Sequence, residues 1–128
     1  MKRGYTSIEQ SKKLLELGLS PESADMWWDE TEKFPRCIKH YHEYLSQKIS
    51  PIPCWTIGAL LEIIPKKIQL INENNYAEFI IAYPSYSDGH SMGYNRGDIP
   101  WKYGDTLLDT CYEMVVWLLE NNYIEKAE

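Results

Sequence analysis

Residues 104–124 constrain this chain more than any other stretch, because they read as one capped helix carrying more apolar surface than water tolerates. At about 100° per residue, Leu107, Cys111, Met114, Val115, Leu118 and Leu119 fall on one stripe, flanked by Trp117 on one side and by Leu108 and Tyr112 on the other. Asp109, Glu113 and Glu120 leave only a narrow solvent line. Such a helix must be covered over most of its circumference, so it organises the core. Asp105 or Thr106 is its expected N-cap, and Asp109 in the first turn complements the helix dipole.

The rest of the chain supplies the cover. Thr6-Ser7-Ile8-Glu9 reads as a capping box opening a helix that runs to Leu17, with Ile8, Ser11, Leu15 and, to one side, Leu14 facing inward and Gly18 as the left-handed stop. Ser20-Pro21-Glu22 suits a short helical turn, and Met26-Trp27-Trp28 an extended one. Phe34-Pro35 breaks any helix, whereas Cys37, Ile38, Tyr41, Tyr44 and Leu45 recur at spacings that suggest a short helix over about 36–47. Pro51 and Pro53 force an extended entry into Cys54-Trp55. A helix then begins at Thr56, turns Ile57, Leu60, Leu61 and Ile64 inward and stops at Pro65.

Beyond Pro65 the apolar period changes to two. Residues 67–72 and 76–83 read as strands, Asp88-Gly89 as a hairpin turn, and 90–95 as a third strand, with 96–104 a loop feeding the last helix. The expected fold is α+β, a single domain over residues 1–128. It consists of a three-stranded antiparallel meander packed with an N-terminal helix, a middle helix and a long C-terminal helix, the last two on the same face of the sheet.

With 128 residues, 44% hydrophobic and 25% charged, the chain can bury a core without disulfide or metal staples. No apolar run approaches the length that spans a bilayer. The basic start leads directly into a charged helix without an apolar leader segment, so a cytoplasmic location and no membrane partner are expected. Cys37, Cys54 and Cys111 are odd in number and far apart, as free and mostly buried thiols would be. The net charge of −6 opposes association with phosphate backbones, and direct nucleic-acid binding is not expected. Glu22, Asp25, Asp29, Glu30 and Glu32 gather around Trp27 and Trp28, either as a solvated acidic loop or as an attraction for a basic partner.

Four stretches together carry a resemblance: residues 6–15 (TSIEQSKKLL), 23–26 (SADM), 52–61 (IPCWTIGALL) and 112–121 (YEMVVWLLEN). They resemble a group of small proteins from anaerobic gut bacteria and from their phages and other mobile elements. The resemblance implies a cytoplasmic, phage-related or mobile-element setting. It brings no activity and no catalytic residues, because the group has none assigned.

Candidate chemistry is sparse. Cys37, His40, His42 and Glu43 offer zinc-type ligands, but on a helix His40 and His42 point about 200° apart, so only an irregular backbone brings both to one ion. His90 with Asp88 or Asp98 invites a hydrolase in which Ser91 or Cys54 is the nucleophile, yet neighbouring strand residues such as His90 and Ser91 point to opposite faces. No phosphate loop, nucleophile elbow, dinucleotide fingerprint or H-E-x-x-H motif occurs, and no cofactor is expected.

Ten tyrosines and five tryptophans are the more unusual stock, since each combines large apolar area with a hydrogen-bonding tip suited to interfaces. On the second strand Tyr76, Glu78, Ile80 and Ala82 share one face and Ala77, Phe79, Ile81 and Tyr83 the other, so one face needs a second layer, a partner or a second copy. Trp101, Tyr103, Tyr86 and Tyr94 are placed to line such a site. The leading expectation is a non-enzymatic interaction or accessory protein that binds a macromolecular partner, or itself as a homodimer, through aromatic and acidic surface around Trp27, Trp28, Tyr86, Tyr94 and Trp101. The alternatives are a small hydrolase using His90 with Asp88 or Asp98, a metal-binding protein using Cys37, His40 and His42, and lastly an acidic mimic of nucleic acid.

Overall fold

Each α-helix among the described residues starts where a hydroxyl stands in for a missing backbone partner. The computed structural model describes residues 4–28, 36–37, 52–70, 75–82, 90–96 and 99–127. Helix α1 (Ile8–Glu16) is capped by Ser7, whose Oγ accepts from the Gln10 N–H at 3.1 Å while the Gln10 side chain accepts from the Ser7 N–H at 3.0 Å. The capping box therefore lies one residue later than the expected Thr6–Glu9 pair. Thr6 is drawn into the interior instead. Its N–H donates to the Trp55 carbonyl at 2.9 Å, and its Oγ1 accepts from the Trp55 N–H at 3.0 Å and shares a hydrogen bond with Ser11 at 2.8 Å. A buried hydroxyl that satisfies these groups does more than a solvent-facing cap. Gly18, at φ 101°, ends α1 as expected, and its carbonyl accepts from the Ala127 N–H, tying the C-terminal end of the chain to this corner.

A single 3₁₀ turn (Pro21–Ser23) leads into the first sheet, built from β1 (Met26–Trp28), β2 (Arg36–Cys37) and β3 (Ile52–Cys54) in the order β2-β1-β3, all antiparallel. Arg36 and Cys37 pair with Trp27 and Met26, which corrects the helix expected to begin there; the remainder of that expected helix lies outside the described residues. The central strand offers bonding on both edges, and these pairings outweigh an ambiguous apolar period. Pro53 fits β3 because a proline tolerates a strand position that needs no amide donor.

Helix α2 (Ile57–Ile63) starts at Thr56, which accepts from the Ala59 N–H at 3.2 Å, and ends before Pro65. Thr56 is itself held by Asp25, whose carboxylate accepts from the Thr56 N–H at 3.0 Å and from its hydroxyl.

The second sheet contains the expected meander: β4 (Lys67–Gln69), β5 (Tyr76–Ala82) and β6 (His90–Tyr94). It is not three-stranded, however. Residues 102–104, read from sequence as loop, form β7 (Lys102–Gly104) and pair with His90, Ser91 and Met92, giving the order β4-β5-β6-β7. The protein is α+β, and its described residues form two antiparallel sheets rather than one.

Helix α3 (Leu107–Glu120) begins at Thr106, which accepts from the Asp109 N–H at 3.1 Å. It lies against β6, β7 and α2. Cys111, Met114, Val115, Leu118 and Leu119 are buried, as the stripe requires, but its first member, Leu107, is half-buried while Leu108, expected on the flank, is buried in its place; Tyr112 and Trp117 are half-buried on the flanks. Thr110 is buried too, its hydroxyl satisfied by the Thr106 carbonyl at 2.9 Å. The main core joins these residues to Leu14, Trp55, Leu60 and Ile64 and to Ala77, Met92 and Tyr94 from the inner face of the second sheet. A smaller cluster of Trp28, Ile52 and Cys54 packs under Tyr5 and Ile8. Among the described residues no helix is long and apolar enough to cross a membrane.

Candidate functional site

Strand register decides which aromatic rings reach the outside. Directly opposed residues share a face of a sheet and successive residues alternate. Gln69 opposes Tyr76, Lys67 opposes Glu78, Ile80 opposes Gly93, and Ala82 opposes Ser91, which in turn opposes Tyr103. All of these occupy the face turned away from α3. On the inner face Phe79 opposes Tyr94, with ring centroids 5.6 Å apart, and Ile81 opposes Met92.

The large hydrophobic side chains exposed among the described residues are Tyr76 at 61%, Ile80 at 39% and Tyr103 at 72%, and all three lie on that outer face. Trp101 joins them. Its indole lies flat enough on the sheet that a Cβ built on Gly93 would come within 2.6 Å of Trp101 Cδ2, so only glycine lets the ring settle there. The apolar groups form a diagonal from Tyr76 at one corner, through Ile80 and Trp101, to Tyr103 at the other, a span of about 22 Å at 3.3 Å per residue and 4.8 Å per strand. The face carries little net charge, since Lys67 Nζ sits 3.8 Å from Glu78 Oε1 with both side chains largely in solvent. Such a pair contributes little to stability.

Of the residues expected to make a partner surface, Trp27, Trp28 and Tyr94 are interior, at 0%, 4% and 0% exposure. Trp28 Nε1 donates to the Thr6 carbonyl at 3.0 Å, and the Tyr94 hydroxyl donates to the Pro65 carbonyl at 2.7 Å, with burial pushing the Tyr94 phenol well above its ordinary range. Trp101 is half-buried on the outer face, and Tyr86 lies outside the described residues. The structure thus separates the four described members of this set of five, three of them interior and Trp101 on the outer face, rather than gathering them. Tyr76 and Ile80 are not among those five, although the alternation along β5 places them together beside Glu78.

The catalytic alternatives are not assembled among the described residues. His90 and Ser91 occupy opposite faces of β6, and Ser91 is buried with its hydroxyl 3.4 Å from the Ala82 carbonyl. Asp88 and Asp98 lie outside the described residues. Cys54 belongs to the other sheet, donates to the Thr6 carbonyl at 3.4 Å, and has its thiol pushed up to about 11 chiefly by burial, so it holds its proton at neutral pH. His40 and His42 lie outside the described residues, Cys37 enters only as a strand position on β2, and no cluster of three or more His, Cys, Asp or Glu suited to a metal ion occurs among the described residues.

A shallow groove of about 690 Å³ opens between the 3₁₀ turn and α2, lined by Glu22, Asp25 and Glu62 with Ala24, Gly58 and Ile63. Its Asp25 is committed to Thr56, which gives part of the acidic cluster a structural task.

The fold and this surface define a class: an α+β domain with helices behind a four-stranded antiparallel sheet and an aromatic outer face. No protein-family model matches the chain, and no curated protein or solved structure matches it.

Proposed function

We propose that this chain is a non-enzymatic, cytoplasmic accessory protein that docks another protein against the outer face of its four-stranded sheet. The observation that carries this reading is the collection of Tyr76, Ile80 and Tyr103, the exposed large hydrophobics of the described residues, on one face. Tyrosine suits such a role because its ring gains contact area at low entropic cost while its hydroxyl stays hydrated. Four strands at about 4.8 Å and seven residues at about 3.3 Å bound the face at about 440 Å², roughly half of the ~800 Å² per partner in a standard stable complex. A transient contact, or one that reaches beyond the sheet, is therefore the form the interaction takes. The net charge of −6 favours partners with a positive balance and speeds their encounter.

A photo-crosslinking side chain at Tyr103 in the source cell tests the reading, with the same probe at exposed Glu113 on α3 as the control. A discrete adduct from position 103, lost on Ile80→Asp, is expected. Equal labelling from both positions, or none from 103, overturns the proposal. An adduct at twice the chain mass identifies the partner as a second copy.

A further inference from the structure

We draw no further inference here: the strongest candidate, the acidic groove between the 3₁₀ turn and α2 with Glu22, Asp25 and Glu62 on its walls, is a cluster of carboxylates with no second feature in the structure pointing to a ligand.

Discussion

Replacing Gly93 with alanine tests the seating of Trp101 on the outer face. The added Cβ would lie 2.6, 2.7 and 2.8 Å from Trp101 Cδ2, Cγ and Cε2, whereas carbon atoms rest about 3.5–4.0 Å apart. A retreat of about 1 Å is required. Gly93 sits on β6, between β5 and β7, so its backbone cannot give way without breaking pairings on both sides. The indole must lift instead. Overpacking of this kind costs about 1–3 kcal/mol. Alanine in place of glycine within a strand returns about 0.5–1 kcal/mol of backbone entropy. The net expectation is a loss of about 0–2.5 kcal/mol, centred near 1 kcal/mol and read by urea unfolding followed by far-ultraviolet circular dichroism. Fluorotryptophan resonances, with Trp101→Phe as the assignment control, should show one indole moving and the others fixed. If Gly93→Ala is neutral or stabilising and the Trp101 resonance stays in place, the packing argument for the outer face is refuted.

Three other perturbations probe the frame behind that face. Thr6→Val keeps the shape of the side chain but strips the acceptor from the buried Trp55 N–H and the partner from Ser11, and should cost about 1–3 kcal/mol in urea unfolding; a change under about 0.5 kcal/mol would contradict the buried network. Cys54 and Cys111 are each raised from 9.0 to about 11, mainly by burial, so the folded chain keeps protons that the unfolded chain releases over that interval. Their contribution is complete below pH 9 and falls away toward pH 11, and the urea midpoint should drop between about pH 9 and pH 11, less steeply in Cys111→Ala; a flat profile in the parent protein would refute the burial of both thiols. Asp25→Ala removes both bonds to Thr56 and should lower stability by about 1 kcal/mol, with Asp25→Asn, which keeps an acceptor, losing less; equal losses would mean that charge rather than hydrogen bonding matters there.

Elements whose boundaries depend on local chemistry are legible in the sequence. Thr106 and Thr56 start helices, Gly18 and Pro65 limit them, and the α3 stripe is buried from Cys111 to Leu119, with Leu108 rather than Leu107 buried in the first turn. What depends on distant partners is not. Thr6 and Ser7 are equivalent as caps by type, and only the meeting with Trp55 draws the first inward and leaves the second to the helix. Strand β7 spans three residues among glycine, proline and aspartate, too short to show a period, and exists because β6 presents an open edge to it. Arg36–Cys37 becomes a strand for the same reason, against the free edge of β1.

The aromatic residues follow a rule that composition cannot express. A ring enters the interior here when its polar atom meets an acceptor: Trp28 at the Thr6 carbonyl, Trp55 Nε1 at Ser23 Oγ at 2.9 Å, and Tyr94 at the Pro65 carbonyl. Tyr94 and Tyr103 stand on neighbouring strands and look alike in sequence, yet Tyr94 opposes Phe79 on the inner face while Tyr103 opposes Ser91 on the outer one. One position of register separates a core residue from an exposed one. A shift of one residue in the β6–β7 pairing would turn Tyr103 toward α3 and Lys102 outward. A short edge strand has few ladder bonds to fix its register, and the seating of Trp101 on Gly93 adds packing that favours the observed one, in which Tyr103 stays on the outer face.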